Sequence, residues 1–159
     1  MDLKKLFFIV SVIYLIFSFC ICINYAMAAE DQKKPDLIIV KDFKILPENP
    51  TTEDELRLDS VRYKNISQTY VPDGTEITFA CKVYGKDGGL LKTCENFSYS
   101  YFGIGPGAET PAFPYAIGTL KAGEYRVDLV CDVFNVLEES DKANNVASAY
   151  ITVTEKNAK

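Results

Sequence analysis

The 159-residue chain contains no histidine. Ser–His and Cys–His nucleophile pairs are therefore excluded, as are histidine-ligated metal sites. Most hydrolase mechanisms go with them. Tryptophan is absent too, so the ring that fills the core of true antibody domains is missing. There is no Cys-x-x-Cys pair to signal a redox enzyme. No Asp-x-Asp-x-Asp-Gly spacing marks a calcium loop. Basic residues are outnumbered, 17 Lys and Arg against 22 Asp and Glu, for a net charge of −5. With no concentrated basic face, neither nucleic acid nor an anionic lipid surface is expected as a partner.

What is present begins with an export signature. Lys4 and Lys5 precede an uncharged, mostly apolar run from Leu6 to Ile23, and Ala26-Met27-Ala28 supplies a small-x-small cleavage pattern. Residues 1–28 read as a signal peptide, with Ala29 as the first mature residue. The run is also just long enough to cross a bilayer, so a retained anchor is the alternative, and the only route to a membrane. Phe19 and Ile21, which precede Cys20 and Cys22, are too large for a lipoprotein site. Cleavage removes Asp2, Lys4 and Lys5, leaving 15 basic against 21 acidic residues and a charge of −6. The remainder divides into a polar leader over 29–34, one domain over 35–155 and a tail over 156–159.

Within that domain the apolar pattern repeats every second residue, the period of half-buried strands. Ile77, Phe79, Cys81 and Val83 alternate with polar neighbours, as do Tyr125, Val127, Leu129, Cys131 and Val133. Ala147, Ala149, Ile151 and Val153 share one face of a last strand. Leu37 to Val40 forms the first. Between them, Leu56 and Leu58 change parity to Val61 and Tyr63, and a bulge near Asp59-Ser60 would let both pairs face inward. Lys86-Asp87-Gly88-Gly89 turns a hairpin. No helical period competes, so the fold expected is all-β: an Ig-like antiparallel β-sandwich of about seven strands. Tyr125, just after the Gly123 turn, is placed to send its hydroxyl back to upstream backbone, as in the tyrosine corner of such sandwiches.

Several short motifs together resemble CARDB, the cell-adhesion-related domain found in bacteria. They are Pro35-Asp36-Leu37-Ile38-Ile39 at the start, Asn49-Pro50-Thr51-Thr52 with Glu55-Leu56 before the second strand, and Asn65 after it. Gly123, Glu139-Ser140-Asp141 and Asn144-Asn145 complete the set towards the end. The resemblance runs from about Pro35 to Thr154. It implies an Ig-like module displayed outside the cytoplasm, periplasmic or secreted, in a bacterium, and used for adhesion or binding. Two positions depart from it. Ile66 follows Asn65 where the family often has glycine, and Lys142 stands where it tends to be acidic.

Three groups of residues are candidates for function, and no catalytic residue is among them. Tyr99, Tyr101, Phe102, Phe113 and Tyr115 are expected on a loop rich in glycine and proline. Rigid amphipathic rings on such a stretch suit a partner-binding surface for protein or glycan. The plainer reading is that half of them plug an open edge of the sandwich. Asp132, Glu139, Asp141 and Asn145, with Glu138 and Asn144, are the candidate oxygen ligands for calcium, the one cofactor considered. Against it, Lys142 adds an opposing charge, and Asn144 and Asn145 can instead bond the turn backbone. Cys81, Cys94 and Cys131 remain after export, where a disulfide is expected. Cys81 can meet Cys94 across the Lys86–Gly89 hairpin, the favoured pairing, or Cys131 on a neighbouring strand. The function expected is a non-enzymatic envelope module binding a protein or glycan through the aromatic stretch, with an exposed strand edge free to add a partner strand. The alternatives are a structural spacer or assembly subunit with no ligand of its own, and a calcium-stabilised module.

Overall fold

The structure is a computed structural model that describes Ile16, residues 34–94, 97–111 and 115–156, and over 97–102 the backbone alone. The export segment, its cleavage site and nearly all of the polar leader lie outside the described residues, as does Phe113.

Among the described residues from 34 onward the elements are all strands: β1 (Leu37–Ile39), β2 (Lys44–Leu46), β3 (Leu56–Asp59), β4 (Arg62–Asn65), β5 (Val71–Gly85), β6 (Leu90–Thr93), β7 (Phe97–Ile104), β8 (Glu109–Pro111), β9 (Tyr115–Gly118), β10 (Gly123–Val130) and β11 (Val146–Val153). The chain is an all-β antiparallel sandwich. One layer has the order β11-β10-β5-β6, with β7 also pairing β5. The fifteen-residue β5 is its spine: β7 covers the first half of one side, β6 the second half, and β10 flanks the other side. The second layer consists of two short sheets, β1-β4-β8 and β2-β3-β9.

The break between β3 and β4 is the parity change expected from sequence. Ser60 adopts φ +58° there, and Leu56, Leu58, Val61 and Tyr63 are all buried. One residue in the left-handed region re-aims the strand, so both pairs reach the core. Tyr63 from this layer meets Phe79 of β5 with ring centroids 5.1 Å apart. The alternating residues of β5 and β10 close the same core, with Ile77, Cys81, Val83, Val127 and Leu129 fully excluded from solvent. Burying each such side chain is worth about 1.5–3 kcal/mol.

The Tyr125 hydroxyl donates to the Lys121 carbonyl at 2.8 Å. Gly123 permits this closure: a Cβ there would sit 3.3 Å from that hydroxyl oxygen.

The aromatic stretch is organised differently from the expected loop. Its first part is strand β7, whose backbone pairs with β5 from Val71 to Phe79, setting Tyr99 opposite Ile77 and Tyr101 opposite Thr75. The side chains of Tyr99, Tyr101 and Phe102 lie outside the described residues.

Candidate functional site

A well-formed surface feature lies on the outer face of the larger layer. Alternation in β5, β10 and β11 sends Val83, Val127 and Ile151 inward, which turns Tyr84, Arg126 and Tyr150 outward. Register then aligns them, with Arg126 opposite Tyr84 on one side and Tyr150 on the other. The result is a tyrosine–arginine–tyrosine row across three strands.

Arg126 is held from two directions. Its guanidinium carbon lies 4.4 Å from the centre of the Tyr84 ring, and its Nε is 3.0 Å from Asp128 Oδ1. Asp128 is itself fixed by the Ser148 hydroxyl, which donates to it at 2.8 Å. A cation over an exposed ring is worth about 0.5–1 kcal/mol, and its larger effect is to fix the plane of the fork. Tyr150, at 78% exposure, projects freely beside it. At the end of the row Lys86 and Glu124 form an ion pair at 3.0 Å. Between these groups lies an open cleft of about 340 Å³, bordered by Gly85, Lys86, Glu124, Arg126, Tyr150 and Thr152. An exposed ring can stack on a flat apolar face, a fixed guanidinium offers paired donors, and Glu124 offers an acceptor.

Sequence reasoning did not single out these three residues. The alternation signal marked each as outward-facing, but nothing local showed that β10 separates β5 from β11.

The residues it did single out have other places. Tyr115 is buried in β9 opposite Leu58, so its ring belongs to the core and not to a binding surface. The acidic turn is a latch. Leu37 N–H donates to Glu139 Oε1 at 2.9 Å, and Asn145 Nδ2 donates to Glu139 Oε2 at 2.5 Å. Asp36 accepts from the Ser140 hydroxyl and from Asn144 Nδ2, each at 2.9 Å. Asp132, at φ +48°, accepts from the N–H groups of Val136 and Leu137, while Asp141 accepts from Ala143. Asn144 and Asn145 thus bond carboxylates through their side-chain amides, not the turn backbone as expected. Among the described residues no three His, Cys, Asp or Glu side chains are grouped to hold a metal ion. Burial raises the Glu139 pKa above the usual carboxylate range, outweighing the lowering effect of its two hydrogen bonds.

The motif residues at the two ends of the domain therefore grip one another. Asn49 to Thr52 act likewise: Thr52 N–H donates to the Thr154 carbonyl and Thr154 N–H to the Pro50 carbonyl, both at 3.0 Å.

No family model matches this sequence, and no curated protein matches it. Solved structures do match its shape. A CARDB domain from Pyrococcus furiosus, crystallised in complex with di-metal ions, superposes with a TM-score of 0.57 at 23% identity, covering 78% of this chain and 97% of that one. The solution NMR structure of the same domain gives 0.55 at 22% identity, covering 78% and 99%. The fold is that of a CARDB domain.

In this CARDB fold Cys81, Cys94 and Cys131 are free and buried, and none of the disulfides expected among them is formed. Cys81 and Cys94 are nevertheless neighbours. Cys94 N–H donates to the Cys81 carbonyl at 2.7 Å, and a hydrogen bond joins the two thiols, pulling the Cys94 pKa down and pushing that of Cys81 up. Register puts Cys81 opposite Leu129, so Cys131 is not its cross-strand partner. Burial pushes the Cys131 thiol up as well.

Proposed function

We propose that this protein is an extracytoplasmic, non-catalytic binding module that recognises a protein or glycan partner with the outer face of its larger sheet. The observation that carries this reading is the Tyr84–Arg126–Tyr150 row, in which an arginine is immobilised beside an exposed ring with no packing role for that ring. Tyrosine and arginine are the residues most often found at the energetic centre of binding surfaces. The adhesion-type use of the CARDB fold and the export signature in residues 1–28 both support placement outside the cytoplasm.

Tyr150→Ala and Arg126→Ala are each expected to weaken binding to native envelope material by at least about tenfold. The melting temperature should stay nearly unchanged. Binding that survives both substitutions would move the site elsewhere, and collapse of melting would make the row structural.

An extracytoplasmic setting also bears on the two adjacent thiols. Oxidised glutathione is expected to join Cys81 to Cys94 through a mixed disulfide, each glutathione disulfide being reduced to two glutathione thiols for every protein disulfide formed. Peptide mapping should find that link and leave Cys131 free. A Cys81–Cys131 link instead would contradict the register.

A further inference from the structure

Strand β11 borders the larger sheet, and its free side can be identified from the hydrogen bonds at its two ends. Cys131 N–H donates to the Asn145 carbonyl, so odd-numbered residues of this strand face β10. Thr154 bonds Pro50 and Thr52 through its N–H and carbonyl, so even-numbered residues face away. In an antiparallel ladder both backbone groups of a residue point the same way, alternating along the strand. The N–H and C=O groups of Val146, Ser148, Tyr150 and Thr152 therefore line the open edge. No backbone partner meets them among the described residues.

This edge lacks the usual protection. Exposed edges are commonly kept short, or carry lysine, proline or an inward charge. On the opposite side of the sheet β6 follows that rule, with four residues and with Lys92 folded back onto the Ile117 carbonyl. By contrast β11 runs for eight residues, Val-Ala-Ser-Ala-Tyr-Ile-Thr-Val, with no charge and no proline.

We propose that β11 pairs antiparallel with β11 of a second copy of this chain, about a twofold axis at Ala149. Only even residues can exchange hydrogen bonds across the edge, which restricts the register. Centring on Ala149 uses all four of them, setting Val146 opposite Thr152 and Ser148 opposite Tyr150, and opposes no like charges. A chain of net charge −5 repels its own copy over most of its surface, so contact between two copies is confined to an uncharged, self-complementary strip such as β11. The pairing makes the two larger sheets continuous and sets the two Tyr150 residues diagonally across the axis. Two recognition rows would then face one way, giving bivalent attachment. The dimer itself does not depend on the binding role of that row.

The test is light scattering of the full chain over a concentration series, with two variants. The expected result is a mass that doubles with concentration. Ser148→Pro removes an N–H from the free edge while sparing the ladder to β10, and should weaken association by about tenfold or more. Ala149→Cys should crosslink two copies through residue 149 on mild oxidation, because a non-hydrogen-bonded pair brings Cα atoms to about 4.5 Å. A chain that stays monomeric at its highest soluble concentration would overturn the proposal. So would a dimer unaffected by Ser148→Pro, or one in which residue 149 fails to crosslink. If Ser148→Pro does not fold, the Ala149→Cys result decides alone.

Discussion

Asn65→Ala is expected to destabilise the domain by about 3–5 kcal/mol, because it strands several buried polar groups at about 1–3 kcal/mol each. Asn65 is fully buried at the end of β4. Its Nδ2 donates to the carbonyls of Thr69 and Ile104, at 2.8 and 2.9 Å. Its Oδ1 accepts from Ser67 N–H at 3.1 Å and from the Ser67 hydroxyl at 2.8 Å. One amide thus shapes the turn after β4 and fastens it to the end of β7. Alanine leaves two carbonyls without that donor and the Ser67 N–H without that acceptor. Urea unfolding should show a lower midpoint with an unchanged slope. A loss under about 1 kcal/mol would mean that the turn closes without the amide. The same geometry explains how the chain manages without the glycine expected after this asparagine. Ser67 supplies an N–H to the amide oxygen, and its single hydroxyl proton is shared between that oxygen and the Thr69 carbonyl, 2.9 Å away.

The second large effect is at Glu139, where two substitutions should diverge. Glu139→Ala removes the acceptor of both the Leu37 N–H and the Asn145 amide, and is expected to cost about 2–4 kcal/mol. Glu139→Gln keeps an oxygen for Leu37. Its new amide can donate to Asn145 Oδ1, which is buried without a partner, once the Asn145 amide turns over. This variant should lie within about 1 kcal/mol of the parent at neutral pH. The pH dependence separates charge from hydrogen bonding. Because burial raises the Glu139 pKa in the folded state, the folded protein holds its proton over a window where the unfolded chain has released it. Stability from this group is then complete below the ordinary value of 4.5 and declines as pH rises through the raised folded value. Glu139→Gln should abolish that decline, so the variant gains on the parent as pH increases across the window. An identical pH profile for the two proteins would place the Glu139 pKa at its ordinary value.

Much of this architecture was legible in the chain. The alternation of Ile77 to Val83 and of Tyr125 to Cys131 marked the core faces correctly, because burial on one side of a strand imposes a period of two on the residues themselves. The parity change at Asp59-Ser60 was equally visible, since Leu58 and Val61 cannot both face inward without a break. The turn motifs near Asn65 and Glu139 were visible as patterns, but their work was not. Glu139 grips Leu37 across 102 positions of sequence, and nothing local to either residue states that they meet. The rich run of rings drew attention to Tyr115, which is core, while the Tyr84–Arg126–Tyr150 row went unnoticed because its members lie far apart in sequence.

The sequence alone determined which faces of the strands are dry, because hydrophobic burial acts on each residue according to its own side chain. It also determined the absence of histidine chemistry, since composition needs no geometry. The tertiary structure alone decided strand order and register. Those come from long-range pairing between backbones that are chemically alike, so they leave little local trace. Register is what brings an arginine between two tyrosines, sets Cys81 beside Cys94, and leaves the uncharged β11 at the border of its sheet.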